Sequence, residues 1–325
     1  MAITAFLGAY GYGNLGDELC LIEAMAAFPG GDAHAFTTDP DWTRRCVPGL
    51  AGCFRDPAEL LARRPARIVF GGGMFGLPEA FRAWMPAMAR AQAAGAAIHL
   101  HNLGVGWLAD DRGWLDEDAR RVFAEAASFT VRDHLSVERL AVLHLGRVPR
   151  VTHFPEAWIA PDPTLAEALL PPGQPLLGVS IIPYPATRAA LTADAARVRV
   201  LLAEFAGMPV VPIVSTIHQS SAQEDDLAGL TDFLATFLPG APIAAPALLD
   251  RTHWRAEMTP RRLKGLIARC AVLVTQRKHN MIHAIGAGVR VIGLHPVEDN
   301  SLRRTFVTMS NRLPAGSACV GLRAG

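Results

Sequence analysis

Short apolar runs alternate with segments of helical periodicity along almost the whole chain. The apolar runs are typical of buried strands and cover residues 3–9, 33–37, 67–70, 97–102, 129–131, 176–182, 209–214, 271–275 and 289–294. The segments between them predict helices at residues 17–27, 79–94, 116–127, 190–206, 225–237, 259–268 and 280–287, with a last one that ends near 310. Strands that are each followed by a helix predict a parallel sheet with helices on both faces.

A proline-rich stretch, residues 155–175, interrupts this alternation near the middle of the chain. With 325 residues, the chain is long enough for two domains. The sequence therefore predicts an amino-terminal α/β domain at 1–160, a linker at 161–175 and a carboxy-terminal α/β domain at 176–325. Two Rossmann-like domains that face each other leave a cleft, which is a common place for a site. Residues 239–255 show no regular pattern and predict an irregular connection.

Composition narrows the class of protein. Half of the residues are hydrophobic, 19% are charged and the formal net charge is +1, so we expect a large core and no nucleic-acid partner. The five cysteines lack metal-ligand spacing, which favours reduced thiols in the cytoplasm over a disulfide framework or a zinc site. The sequence shows neither a basic leader nor a membrane-length apolar segment, so we expect no signal peptide and no integral membrane segment.

A glycine-rich turn, GYGNLG at residues 11–16, follows the first predicted strand. Glycines let a backbone approach a ligand closely, and the amino end of the following helix favours anions. The spacing also matches the GxGxxG pattern of dinucleotide-binding proteins, and Asp39 lies at about the distance of a ribose-binding acid. A dinucleotide site is therefore an alternative, although Asn14, Asp17 and Glu18 would bring polar and negative groups towards a pyrophosphate.

Other predicted strands also end in glycines or in charged residues. Gly71-Gly72-Gly73 marks either a tight turn or room for a ligand, and Gly104-Val105-Gly106 ends the next strand. Arg132 and Asp133 follow the strand at 129–131. In a parallel sheet these ends lie along one edge, where ligands bind. Arg132 is the candidate for binding, while Asp133 is suited to cap the next helix.

The strand at 271–275 ends in a basic group, Arg277, Lys278 and His279. In an extended segment Arg277 and His279 would point to the same side and Lys278 away from them. A guanidinium binds anionic groups and an imidazole exchanges protons near neutral pH, so this group predicts a site for an anionic substrate that also exchanges a proton. His283 follows at helical spacing, but the acid of a zinc-protease motif is missing, and we predict no metal.

Together these motifs resemble those of the polysaccharide pyruvyl transferase family. The resemblance runs from about residue 8 to about residue 300 and rests on Gly13-Asn14-Leu15-Gly16-Asp17-Glu18, Gly71-Gly72-Gly73, Val131-Arg132-Asp133 with Ser136, and the block 259–291 with Arg277-x-His279. It implies two Rossmann-like domains, as in the B-type glycosyltransferase (GT-B) fold. It also implies transfer of a pyruvyl group from phosphoenolpyruvate to two hydroxyls of a sugar, giving a cyclic ketal and free phosphate, without cofactor or metal.

The resemblance also implies roles for particular residues. Arginine forks match the carboxylate and phosphate of phosphoenolpyruvate, so we assign Arg132 and Arg277 to anion binding and His279 to proton transfer. The predicted substrate-binding residues are Gly13, Asn14, Gly16, Asp17, Glu18, Gly71, Gly72, Gly73 and Lys278. Asp17 or Glu18 would orient the acceptor hydroxyls. The expected partners are phosphoenolpyruvate and a sugar or glycan acceptor of polysaccharide or exopolysaccharide synthesis, and peripheral contact with a lipid-linked acceptor stays open.

Three other functions stay open on the sequence alone. A GT-B glycosyltransferase or nucleotide-sugar enzyme shares the implied architecture. A nicotinamide oxidoreductase rests on the GxGxxG spacing. A non-catalytic glycan- or phosphate-binding relative is favoured by Lys278, where the family usually has an apolar residue, and by Ser180-Ile181-Ile182-Pro183, where many relatives carry an arginine.

Overall fold

The structure is a computed structural model that describes residues 2–72, 78–105, 116–141, 143–219, 221–297 and 301–323, with side chains for all of these except 78–83. The chain forms two compact units. The first comprises Met1–Tyr12 and Asp17–Glu156, and the second comprises Gly13–Gly16 and Ala157–Gly325. Each unit has its own sheet.

The first unit is built on a parallel sheet with seven described strands. Its elements in chain order are β1 (Ile3–Leu7), α1 (Leu15–Ala27), β2 (Asp32–Phe36), α2 (Pro40–Cys46), β3 (Gly52–Phe54), α3 (Pro57–Ala62), β4 (Arg67–Gly71), α4 (Pro78–Ala93), β5 (Ala97–Leu103), α5 (Glu117–Glu125), β6 (Ser128–Val131), α6 (His134–Ala141) and β7 (Arg150–Val151). The strand order is β3-β2-β1-β4-β5-β6-β7, with parallel pairing throughout. Leu7, Phe70, Leu100 and Phe123 belong to its buried core.

Local sequence explains where several of its helices begin. Asp39 accepts a hydrogen bond from Trp42 N at 3.2 Å, and Pro40 occupies the first turn of α2. Asp116 accepts from Ala119 N at 2.8 Å at the start of α5. These carboxylates bind N–H groups that have no acceptor within the helix.

The second unit has a parallel sheet with five described strands. Its elements are α7 (Thr164–Leu169), β8 (Leu177–Ser180), α8 (Pro185–Ala193), α9 (Ala195–Ala203), β9 (Val210–Pro212), α10 (Asp226–Phe237), α11 (Arg251–Glu257), α12 (Pro260–Ala268), β10 (Val272–Thr275), α13 (Lys278–Gly286), β11 (Arg290–Pro296), α14 (Ser301–Thr308) and β12 (Ala318–Leu322). The strand order is β12-β11-β10-β8-β9. Strand β10 therefore lies inside the sheet, and its carboxyl end delivers the chain to Arg277.

The predicted α/β class with parallel sheets is confirmed. The helix predicted at 259–268 begins as expected, because Thr259 Oγ1 accepts from Arg262 N at 3.3 Å and a proline follows. The single helix predicted at 190–206 is wrong, since α8 and α9 meet there at Asp194. The irregular connection predicted at 239–255 is also wrong.

That connection contains α11, whose first turn is capped by Asp250 through His253 N at 2.7 Å. The sequence of α11 buries a single side chain, Trp254, which is too little periodicity for a helix to be predicted. Strands β3, β7 and β12 were also missed, because most of their residues are only partly buried and none of the three strands is a continuous buried apolar run. Within the described part of the chain, no helix combines the length and apolar character needed to cross a bilayer.

The boundary between the units differs from the linker predicted at 161–175. The first unit ends at Glu156, and the proline-rich residues belong to the second. They contain α7, and the buried Lys264 Nζ donates to the carbonyl oxygen of Ala157. The prolines therefore flank a packed helix, which composition alone does not distinguish from a free linker.

Candidate active site

The turn after β1 packs closely against the loop that follows β2. Gly11 has a φ of +85°, and a Cβ there would lie 2.2 Å from Thr37 Oγ1 and 2.5 Å from Asp39 N. Glycine is therefore required by a close approach within the first unit. Asp39, the residue at the position of a ribose-binding acid, caps α2 through Trp42 N. A turn and a helix cap thus account for this part of the dinucleotide-like pattern.

Glu18 holds the same turn from the interior of the first unit. It is fully buried, and its Oε1 accepts from Gly11 N at 2.6 Å and from Thr43 Oγ1 at 3.3 Å. Burial raises the pKa of Glu18 to about 8, although the Gly11 N–H lowers it, so the carboxyl is protonated at neutral pH. Contact of Glu18, or of the partly exposed Asp17, with acceptor hydroxyls stays a prediction.

The rest of the glycine turn, residues 13–16, belongs to the second unit. Gly13 O accepts from Ile217 N at 3.0 Å. A Cβ on Gly13 would lie 2.3 Å from Ile217 O, so the approach of these two backbones requires glycine. Asn14 Oδ1 accepts from Gly16 N at 3.0 Å and satisfies the start of α1. Substrate binding by Gly13, Asn14 and Gly16 stays a prediction.

The glycines at the carboxyl end of β4 differ in their surroundings. A Cβ on Gly71 would lie 2.9 Å from His101 O, so this glycine accommodates the neighbouring strand β5. Gly72 has a φ of +78°, and an added Cβ would meet nothing within 4 Å. Its carbonyl oxygen accepts from Gly104 N at 3.0 Å. Gly73, also predicted to bind substrate, lies outside the described residues.

Arg132 is buried at the end of β6, with 9% of its surface exposed. A Cβ on Gly104 would lie 2.0 Å from Arg132 Cζ, so that glycine makes room for the guanidinium. Arg132 Nε has no hydrogen-bond partner among the described residues, and Asp133 Oδ2 is 3.9 Å away. Asp133 caps α6, as predicted, by accepting from Ser136 N at 2.7 Å. Anion binding by Arg132 stays a prediction.

A buried carboxyl group to which the sequence assigned no role, that of Glu156, lies in the same unit. Its Oε2 accepts from Asn102 Nδ2 at 2.9 Å, and Asn102 Oδ1 accepts from Thr152 Oγ1 at 2.7 Å. Burial raises the pKa of Glu156, whereas a backbone hydrogen bond and Arg132 lower it. Asn102 has a φ of +51°, a backbone conformation that asparagine tolerates better than most residues.

The basic residues after β10 stand at the start of a helix. Strand β10 ends at Thr275 and α13 begins at Lys278, with Arg277 as its N-cap residue. The expectation that Arg277 and His279 point to the same side of an extended segment is therefore wrong. The chain turns at this point because Arg277 N donates to Thr275 Oγ1 at 3.0 Å.

A buried carboxylate that sequence reasoning missed holds the guanidinium of Arg277. Its Nε and Nη2 donate to Asp226 Oδ1 at 2.9 Å and 2.5 Å, and Asp226 is fully buried. Asp226 Oδ2 accepts from Ser215 N at 3.1 Å, Ser215 Oγ at 3.0 Å and Thr216 N at 3.1 Å. A buried ion pair is tolerated when hydrogen bonds replace the lost hydration, and these donors supply that replacement.

Both partners of this pair are charged. Burial lowers the pKa of Arg277, but Asp226 outweighs burial, and the pKa lies above its ordinary value. Burial holds the pKa of Asp226 above its ordinary value, although Arg277 and Ser215 act to lower it. Because the guanidinium stays protonated beside it, the carboxylate is held ionised. Asp226 engages Nε and Nη2, and Tyr184 also forms a hydrogen bond with the guanidinium, so most of the hydrogen-bonding capacity of Arg277 is used within the protein.

One sequence signal could have indicated Asp226. Two acids, Asp225 and Asp226, stand at the start of α10, and Asp225 accepts from Leu227 N at 3.2 Å. Since one acid is enough to cap a helix, the second is available for another role. The polar network continues to Asn280, whose Nδ2 donates to Ser180 Oγ at 2.7 Å, and no local pattern predicts that contact.

His279 packs against the start of α1. A Cβ on Gly16 would lie 2.2 Å from His279 Nδ1, so this glycine makes room for the imidazole. His283 follows one turn later, with the two ring centroids 6.4 Å apart. Burial, with a smaller effect of Lys264, lowers the pKa of His283 to about 3. His283 is therefore neutral, and His279 is the histidine of this pair to consider for proton transfer.

Arg277, Lys278 and His279 all line a pocket of about 250 Å³ in the second unit, together with Asn14 and Gln276. This volume suits a small polar ligand better than a drug-sized one. A larger pocket of about 770 Å³ lies in the first unit and includes no predicted site residue. It is lined by residues of α3 and α4 and by the residues just before β4 and β5, which lie at the opposite ends of the strands from those that usually bind ligands.

Glu18 makes stability depend on pH. Its pKa is about 8 when folded against an ordinary value of 4.5, so the folded state holds one more proton between these values. The free energy of unfolding therefore falls as pH rises through this interval and levels off above it. We expect Glu18→Gln to weaken that fall in denaturant unfolding curves measured across the interval. Parallel profiles for the wild type and Glu18→Gln would contradict the prediction, and Glu59→Gln, at an exposed site, is the control.

Asp226→Asn removes the charged partner of a buried guanidinium. An uncompensated buried charge costs roughly 3–5 kcal/mol, so we expect a fall of that order in the free energy of unfolding measured with denaturant. The control is Asp232→Asn, because Asp232 and Arg188 form an ion pair of 2.6 Å in which both side chains are 60% exposed. That change should cost less than about 1 kcal/mol. Equal losses in the two variants would argue against a structural role for the buried pair.

Comparisons with known proteins bear on both the fold and the family. The family model for polysaccharide pyruvyl transferase matches residues 14–295. A search of the curated proteins found no match.

Among solved structures, the UDP-GlcNAc 2-epimerase from Neisseria meningitidis bound to UDP-GlcNAc is 11% identical, with a TM-score of 0.55 over 98% of this chain and 88% of that chain. The UDP-GlcNAc 2-epimerase from Methanocaldococcus jannaschii is 10% identical, with a TM-score of 0.52 over 99% and 89%. A ugt transferase from Siraitia grosvenorii in complex with UDP is 10% identical, with a TM-score of 0.50 over 98% and 86%.

At such low identity these likenesses show the fold alone, which is the two-domain α/β fold of GT-B glycosyltransferases and epimerases. The family match is of a different kind, because it spans most of the chain and includes Arg132 and the Arg277-x-His279 group. The chain therefore belongs to the polysaccharide pyruvyl transferase family and is a transferase.

Proposed function

We propose that this protein transfers a pyruvyl group from phosphoenolpyruvate to two hydroxyls of a sugar in a polysaccharide or its precursor. The products are a cyclic pyruvate ketal and inorganic phosphate. One observation carries the proposal: in a chain of this family, Lys278 and His279 open α13 and line a pocket of about 250 Å³. An anionic enol phosphate requires positive potential and a group that exchanges protons, and a lysine and a histidine at a helix amino end supply both.

The donor carries a carboxylate and a phosphate, and several groups are proposed to bind them. Asp226 compensates the charge of Arg277. The groups that attract an anion into the pocket are therefore mainly Lys278 and the amino end of α13. Arg277 lines the same pocket and is proposed to attract the donor through its positive charge. In the first unit, Arg132 is the second arginine assigned to the donor, and its buried Nε, which has no partner among the described residues, supports that assignment.

His279 is proposed to deliver a proton to the methylene carbon of the donor. This protonation makes the adjacent carbon electrophilic, and a sugar hydroxyl attacks it. The bond from that carbon to the phosphate oxygen then breaks, and the second hydroxyl forms the second C–O bond of the ketal. Of the two protons that the hydroxyls release, one balances the proton now in the methyl group and the other leaves with phosphate.

The acceptor is proposed to be a sugar or glycan, with Asn14 and Asp17 as candidates for binding its hydroxyls. The donor is a substrate, and we propose no cofactor beside it. Cysteine usage favours a reducing compartment, so we place the reaction in the cytoplasm, where peripheral contact with a lipid-linked acceptor is compatible with the scheme.

His279→Ala should abolish most of the activity while preserving the fold. Loss of a general acid typically lowers a rate by roughly 100-fold or more. The measurement is phosphate release from phosphoenolpyruvate in a screen of sugar and glycan acceptors, with circular dichroism to verify folding. His134→Ala, which changes an exposed histidine of α6, is the control and should keep the wild-type rate.

A folded His279→Ala variant with full activity would rule out the proposed proton transfer. Failure of phosphoenolpyruvate to bind, combined with a rise in melting temperature on addition of nucleotide-sugars, would instead favour a glycosyltransferase or nucleotide-sugar enzyme.

Gly16→Ala tests whether the position of the imidazole matters. The added Cβ would lie 2.2 Å from His279 Nδ1 and should displace the ring, which lowers kcat by about 10-fold or more. In a His279→Ala background the same change should have no further effect, since the affected group is gone. Rates of single and double variants form the measurement, and independent, additive losses would show that Gly16 acts by another route.

A further inference from the structure

Gln276 links β10 to α13 and was not singled out by its sequence. It is 5% exposed, and its backbone N donates to Ser180 O at 2.9 Å. Its side-chain Oε1 accepts from Ile182 N at 3.1 Å. These contacts hold both the backbone and the side chain of Gln276 at the carboxyl ends of two adjacent strands, β8 and β10.

The contact with Ile182 determines which way the amide of Gln276 faces. Because an N–H donor requires the oxygen, the nitrogen must occupy the other position. That nitrogen, Nε2, is buried and has no acceptor in the part of the chain that the structure describes. Buried amide donors are nearly always paired in native proteins, so this one indicates an acceptor that the chain does not itself provide.

The surroundings of Gln276 favour an anionic acceptor. The residue lines the pocket of about 250 Å³ beside Arg277, Lys278 and His279. Arg277 is the N-cap residue of α13, a helix of nine residues, but its side chain is engaged by Asp226 and makes no capping hydrogen bond. The amino end of a helix carries partial positive charge and attracts anions.

The other charges of the pocket agree with this assignment. Glu224 is the acidic residue of the described lining, whereas Lys278 is a full cation at the helix start. A neutral amide beside a lysine can bind an oxygen directionally without adding charge. The amide therefore adds geometric selection to an attraction that is otherwise non-directional.

We propose that Gln276 is a substrate-binding residue whose amide nitrogen donates a hydrogen bond to an anionic oxygen held at the amino end of α13. With the proposed function, on which the identity of the ligand rests, that oxygen belongs to the carboxylate or the phosphate of phosphoenolpyruvate. Gln276 then fixes the orientation of the donor relative to His279, three positions further along the chain.

Isothermal titration of the full chain with phosphoenolpyruvate, inorganic phosphate and pyruvate tests this assignment. Gln276→Met removes the donor, and we expect phosphoenolpyruvate to bind about tenfold more weakly. Gln276→Glu keeps an oxygen for Ile182 N but replaces the donor with a negative charge, so binding should weaken further. In the steady state KM for phosphoenolpyruvate should rise more than kcat falls. Whichever of phosphate and pyruvate weakens in parallel identifies the oxygen.

Gln92→Met is the matched control, because Gln92 lies in α4 of the first unit and both of its amide atoms also lack partners among the described residues. It should bind all three ligands as the wild type does. Wild-type affinity in both Gln276 variants would overturn the inference while leaving the proposed donor intact.

In another outcome the wild type binds phosphate or pyruvate but not phosphoenolpyruvate, with weaker binding in the Gln276 variants. That result would support an anion site at Gln276 and contradict phosphoenolpyruvate as the donor. Absence of binding of all three ligands to the wild type would overturn both. If Gln276→Met has a lower melting temperature than the wild type, the binding data for Gln276→Glu decide the outcome, because that variant preserves the hydrogen bond with Ile182 N.

Discussion

The ion pair between Asp226 and Arg277 is the constraint on which the geometry of the second unit's site depends. Asp226 has no exposed surface, so its charge is tolerated only because donors surround it. One of its oxygens accepts from Ser215 and Thr216, and the other accepts from Arg277, the N-cap residue of α13. The carboxylate thereby joins the polar loop after β9 to the helix that carries His279. Asp226 also engages two nitrogens of Arg277, the arginine that the sequence assigned to a substrate anion. Anion binding therefore falls mainly on the amino end of α13.

The glycine turn shows how one sequence pattern can arise from different physical requirements. In a dinucleotide-binding protein the glycines admit a pyrophosphate. Here a side chain on Gly11 would meet Thr37, one on Gly13 would meet Ile217 O, and one on Gly16 would meet an imidazole. Each position is needed for close contact with protein atoms. Spacing alone cannot separate these cases, because both demand a small residue at the same point of a strand, turn and helix.

The fold and the activity are supported by different kinds of observation. Parallel sheets in two units, and the likeness to epimerases and a ugt transferase, describe a scaffold that hosts several reactions. The transferase family rests instead on a match over most of the sequence. What distinguishes the site chemically is the set of groups at one strand end, where Gln276 offers a buried donor beside Lys278 and His279.

The sequence by itself determined the alternation of strands and helices, the cap at Thr259 and the candidacy of Arg132 and His279. These features depend on residues close together in the chain, through periodicity, capping and position at a strand end. Tertiary structure decided that α13 starts one residue before His279 and that Arg277 is bound by Asp226, 51 positions away. No local pattern encodes such a contact, because which buried charge meets which depends on how distant strands and helices are brought together.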